Sequence, residues 1–135
     1  MEHSAYGMSI DTPLDMDEAD AAVRSALAEE GFGVLTEIDV AATLKAKIGV
    51  DRPPYRILGA CNPALAHKAL EHDEQIGLLL PCNVTLSATA EGTVVSIVDP
   101  TVMLAVAGES AEMAHLAQDA RGRLERALAT LPTAS

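Results

Sequence analysis

An α+β fold is predicted for this sequence, a two-layer sandwich in which amphipathic helices cover one face of a mainly antiparallel sheet. Three features point to it. The strand segments alternate polar and apolar residues, as strands with one solvated face do. The helical segments each carry a single apolar stripe. A Glu91-Gly92 turn between two alternating segments marks a hairpin late in the chain. A three-layer parallel sheet would need strands that are apolar throughout, and only residues 76–80 read that way.

The elements follow in the order β-α-β-α-β-α-β-β-α over one domain, 1–135. Residues 6–10 form a short strand closed by Thr12-Pro13. Asp15 and Glu18 make a capping box, with Asp17 and Asp20 adding negative charge at the positive end of the helix dipole. The stripe Ala19, Ala22, Val23, Ala26, Leu27 then runs to a stop at Gly31. Residues 32–38 alternate as a strand, and Asp39 caps a second helix whose narrow stripe is Val40, Ala41, Leu44 and Ile48, ended by Gly49. Pro53-Pro54 forces a loop before a strand over 55–60. Asn62 is the cap and Pro63 the first position of a helix over 64–73. After Pro81, the residues Cys82, Val84, Leu86 and Ala88 share one strand face and Thr85, Ser87 and Thr89 the other. Residues 93–98 return as the hairpin partner, stopped by Asp99-Pro100, and residues 101–108 carry no decisive period. Ser110 caps a last helix with one face made of Met113, Leu116, Ala117, Ala120, Leu124, Ala127, Leu128 and Leu131, and residues 132–135 are expected to fray.

Composition narrows the function more than it names it. The 135 residues hold 9 Lys+Arg against 20 Asp+Glu, a net charge of −11. Such a surface repels phosphate backbones and anionic lipid, which excludes nucleic acid and membrane surfaces as partners. At 49% hydrophobic and 21% charged, the chain is too apolar for disorder, and its three aromatics, Tyr6, Phe32 and Tyr55, leave an aliphatic core. No apolar stretch approaches the roughly 20 residues of a membrane span, and the N-terminus does not read as a signal peptide. A cytoplasmic location is expected, with Cys61 and Cys82 as thiols.

Four segments carry a resemblance. These are Gly31-Phe32-Gly33-Val34-Leu35-Thr36-Glu37-Ile38-Asp39-Val40, Tyr55-Arg56-Ile57-Leu58-Gly59-Ala60-Cys61-Asn62-Pro63, Gly77-Leu78-Leu79-Leu80-Pro81-Cys82-Asn83-Val84, and Asp99-Pro100. In this order and spacing the chain resembles the family called domain of unknown function 302 over nearly its whole length. The resemblance implies a compact α+β domain similar to known homodimers of bacterial and archaeal origin. It implies no activity, and no catalytic residue carries over.

The candidate thiol or ligand site is Cys61, Cys82, Asn62, Asn83 and Arg56. Cys61 directly precedes a helix cap, where unpaired N–H groups favour a thiolate, yet it shares strand parity with the apolar Ile57 and reads equally as core. Cys82 faces with Val84 and Leu86, a core position. Both cysteines sit at strand ends. Within ~7 Å at Cα they would suit a redox couple, and with a further ligand a Zn or Cu site. The histidines do not complete such a set by spacing: His3 is terminal, His67 falls outside the apolar arc of its helix, His72 lies on its margin, and His115 stands among acids. Ser87, Ser96 and Ser110 lack a nucleophile elbow. Gly31-Phe32-Gly33 precedes a strand, whereas a dinucleotide fingerprint follows one. Asp99 before Pro100 reads as a turn former. Arg56 shares a face with Leu58 and Ala60, as an edge residue, an interface anchor or an anion contact.

The reading that emerges is a cytoplasmic, homodimeric, non-enzymatic module for a small ligand or a protein partner. The alternative is a thiol redox or soft-metal (Zn/Cu) protein working through Cys61 and Cys82. A third reading is an enzyme with Arg56, Asn62 and Asn83 as polar anchors. No cofactor or metal is named by the residues themselves.

Overall fold

A computed structural model describes residues 1–108 and 110–133. Capping chemistry sets the helix starts. Asp15 accepts from the Glu18 amide at 2.8 Å while Glu18 Oε1 accepts from the Asp15 amide at 3.0 Å, so the capping box is complete and α1 runs Met16–Glu29. Asp39 accepts from the Ala42 amide to start α2, Val40–Ile48, and Gly49 ends it with φ +69. Asn62 and Ser110 likewise cap α3, Pro63–His72, and α5, Ala111–Ala129.

The strands are β1 (Glu2–His3), β2 (Gly7–Thr12), β3 (Gly33–Asp39), β4 (Tyr55–Cys61), β5 (Cys82–Thr89) and β6 (Gly92–Val98). They form one sheet in the order β1-β2-β6-β5-β4-β3, antiparallel at every pairing. The α+β architecture is therefore observed, with one sheet face covered. Met8, Ile10, Leu58, Ala60, Val84, Leu86, Val95 and Ile97 meet Val23 and Leu27 of α1 and Leu124 and Leu128 of α5 in the main core. A second cluster joins Ala69 of α3, Ile76 and Leu104 to Met113, Leu116 and Ala117 of α5.

Three details depart from the sequence reading. Residues 76–80 are not strand-like: Glu74–Leu79 is a 3-10 helix that buries Ile76 and leaves Leu78 81% exposed. Continuous apolarity cannot tell a buried strand from a short helix turning past a core. The region 101–108 is helical, with α4 at Pro100–Met103, started by Asp99, and a 3-10 turn at Leu104–Ala107. Finally, α2 buries none of its residues, so its stripe does not join the covering layer. It stands instead against β4 and β3, at the sheet edge where Leu35 and Ile38 of β3 are also exposed. Residues 134–135 of the expected fraying tail lie outside the described residues. No described helix is long and apolar enough to cross a membrane.

Candidate functional site

Antiparallel register brings the two cysteines together. Ala60 pairs with Cys82, so Cys61 lies one residue beyond Cys82's partner on the adjacent strand. With strands about 5 Å apart and a rise of about 3.3 Å per residue, their Cα atoms are about 6 Å apart. At this end of the sheet β4 turns into α3 through Asn62, and the chain re-enters through Pro81 into β5. Glycine at position 59 is what lets these pieces close up. A Cβ there would stand 2.2 Å from Thr36 Oγ1 and 2.7 Å from Pro81 Cγ.

Cys61 and Cys82 line one cavity of about 50 Å³ together with Asn62, Leu65, Ala66 and Ala69 of α3, Phe32, Leu80, Pro81, Pro100, Met103, Leu104, and Leu116 and Ala120 of α5. No charged side chain lines it. Cys82 is buried and Cys61 partly so, and both are free thiols. Burial pushes the Cys82 thiol up to about 11, and the nearby Cys61 charge adds to that shift. Cys82 is thus a neutral thiol at physiological pH.

Of the other candidates, only Asn62 belongs to this cavity, and its side-chain oxygen is occupied in accepting from the Leu65 amide at 3.2 Å. Asn83 has the opposite strand parity to Cys82 and is exposed, lining a hollow on the other sheet face with Tyr6, Tyr55, Thr85 and Ser96. Arg56 lies five residues from Cys61, about 17 Å along the strand. It does face the helix layer as its parity with Leu58 implies, and its guanidinium is spent there on Asp17 and Asp20 of α1. Those acids, the Asp17 hydrogen bond foremost, raise its already high pKa. Arg56, Asn62 and Asn83 therefore do not form one polar site.

No histidine lines the cavity. His67 contacts Glu71 at 2.8 Å, His72 approaches Glu112 at 3.4 Å and His3 approaches Glu125 at 4.0 Å. Among the described residues no three His, Cys, Asp or Glu gather in a metal-holding group. Asp99 does more than form a turn: it caps α4 by accepting from the Thr101 amide and hydroxyl, and it lies 3.2 Å from Arg121 Nε. The one residue of chemical interest that the sequence reading passed over is Met103, whose thioether-bearing side chain sits in the segment without a legible period.

The family model described as domain of unknown function DUF302 matches residues 8–131. Among solved structures, the chain is similar to an uncharacterized conserved DUF302 protein from Bacillus stearothermophilus, with 27% identity, a TM-score of 0.85, and coverage of 93% of this chain and 98% of that one. No curated protein matches the chain.

Proposed function

The chain belongs to the family described as domain of unknown function DUF302, and on that premise we propose that it is a non-enzymatic binding module whose ligand seat is the cavity shared by Cys61 and Cys82. One observation carries this: two thiols from separate strands line a single apolar hollow with no charged group beside them. Its size selects the ligand class. Metabolite sites span roughly 300–1,000 Å³, whereas about 50 Å³ holds something nearer the size of one or two waters. The seat fits an ion or a very small soft group. A neutral, buried Cys82 argues against that thiol acting as a nucleophile, since the thiolate is the reactive form.

The module works as a homodimer in the reducing cytoplasm, with neither nucleic acid nor membrane as a partner. Support for the dimer comes from the β3 edge. A seven-residue edge strand, paired with β4 on one side only and with Leu35 69% and Ile38 48% exposed, is a surface that isolated chains normally blunt with charge.

A thermal-shift series tests the seat. Soft metal ions and small uncharged ligands are compared on the parent chain and on Ala66→Val, which narrows the cavity from α3. A ligand that raises Tm of the parent and not of the variant supports the reading. No stabilising ligand, or equal stabilisation of both chains, overturns it.

A further inference from the structure

We propose that the sheet face opposite the core carries a second seat, for a neutral carbohydrate, floored by Ser9, Asn83, Thr85 and Ser96 and walled by Tyr6 and Tyr55. These residues line one hollow of about 330 Å³, which shares no lining residue with the thiol cavity. That volume falls within the roughly 300–1,000 Å³ of metabolite sites.

The floor follows from strand register. Met8, Ile10, Val84, Leu86, Val95 and Ile97 turn into the core, so the alternate residues Ser9, Asn83, Thr85 and Ser96 turn the other way. Ser9 pairs with Ser96 and Ser96 with Thr85, which sets three hydroxyls side by side across β2, β6 and β5. At about 4.8 Å per strand the row spans about 10 Å, a spacing close to that of alternate hydroxyls round a pyranose ring. Asn83 stands two residues along β5 from Thr85, on the same face. Among the described residues no protein group engages these four side chains by hydrogen bonding. On the covered face, by contrast, Thr93 donates its hydroxyl to the Leu14 carbonyl at 2.9 Å.

The chemistry of the lining selects the ligand class. A hydroxyl both donates and accepts, as does an amide, so the floor matches a ligand of the same dual character. No charged side chain lines the hollow, in a chain that is 21% charged with a net charge of −11. A face turned merely to water would carry its share of Lys, Arg, Asp and Glu. An anionic ligand would meet the acidic surface with no cation in the hollow to offset it. The walls supply apolar surface for the C–H faces of a sugar ring, with a hydroxyl at each tip. Tyr55 is braced by the Arg52 guanidinium, 4.8 Å from its ring centroid. Ser4 Oγ accepts from the Tyr6 and Gly7 amides at 3.1 and 3.2 Å, which fixes the backbone there and leaves Tyr6 81% exposed at the rim.

The chain has two tyrosines and no tryptophan, and both tyrosines line the hollow, so its intrinsic emission reports on this face. The test titrates the full chain with glucose, galactose, maltose and myo-inositol, with glucose 6-phosphate as the charged control, and follows tyrosine emission and backbone amide NMR shifts. A saturable response to at least one neutral member is expected, with the shifted amides gathered at Ser9, Asn83, Thr85 and Ser96. Thr85→Val and Ser96→Ala, which each remove one hydroxyl, should weaken binding about two- to tenfold. Tyr6→Ala, at an exposed position that the fold does not need, should weaken it as well. No saturable response to any neutral member, equal binding by all three variants, or tighter binding of glucose 6-phosphate than of glucose overturns the site. The same amides shifting with protein concentration in the absence of sugar would make a second copy of the chain the occupant, and this too overturns it.

Discussion

Arg56 of β4 donates through Nη1 to Asp20 of α1, 36 residues earlier in the chain, at 3.0 Å, and through Nη2 to Asp17 at 2.8 Å. Asp20 is itself buried and also takes the Arg24 guanidinium, whose other end reaches Glu37 of β3 at 3.4 Å. This chain of charges sets α1 across β4 and β3 at a fixed height. It also explains why a cationic side chain is tolerated on the covered face of the sheet.

Replacing Arg56 by Ala leaves the buried Asp20 with Arg24 alone. We expect a loss of about 1–3 kcal/mol, read as a lower urea midpoint at unchanged m. Asp17→Asn touches only the exposed end of the pair and should cost under about 1 kcal/mol.

Alkaline stability reports the Cys82 environment. Its folded value, about 11, lies above the ordinary 9.0. The benefit of keeping the thiol neutral is complete below pH 9.0 and is lost as pH rises through about 11. The stability difference between the parent chain and Cys82→Ala should therefore shrink over that window, measured by urea unfolding at stepped pH.

Removing the capping box is a local test of the helix start. Asp15→Ala leaves the Glu18 amide without its partner and should cost about 1 kcal/mol in thermal unfolding, with the fold retained by circular dichroism.

Gly59→Ala forces a methyl against Thr36 and Pro81. The expected penalty is about 1–3 kcal/mol, from shifting two packed strand neighbours. Because Pro81 lines the thiol cavity, the Cys61 alkylation rate should change in the same variant.

At the sheet edge, Ile38→Lys adds charge to a half-exposed position that the folded chain does not need for its core. Sedimentation should then show monomer where the parent sediments as dimer, with the midpoint of unfolding within about 0.5 kcal/mol. A parent chain that is monomeric at micromolar concentration sinks the dimer.

Much of this fold was legible because its signals are local. The Asp15–Glu18 box, the Asn62-Pro63 start and the Glu91-Gly92 turn each act within four residues, and all occur where the sequence puts them. Residues 76–80 misled because apolarity without alternation has no direction, and the 3-10 helix there buries Ile76 alone. The stripe of α2 was visible, but periodicity says only that a face is apolar, never what covers it. The site was legible in part. Cys61 and Cys82 could be placed at strand ends, whereas their approach depends on the register of β4 against β5, and Met103 depends on a helix with no periodic signature. The partners of Arg56 lie 36 and 39 residues away, beyond any spacing rule.

The strand order has a consequence for how the chain is made. The main partner of β2 is β6, whose residues 92–98 leave the ribosome more than 80 positions later, and the apolar side of both is then closed by α5. Until β6 and α5 have been synthesised, Met8 and Ile10 have no lasting neighbour. Folding of this domain is therefore delayed until α5 has been made, and a chain stalled before residue 129 exposes the apolar side of β2 to whatever chaperone or protease meets it first.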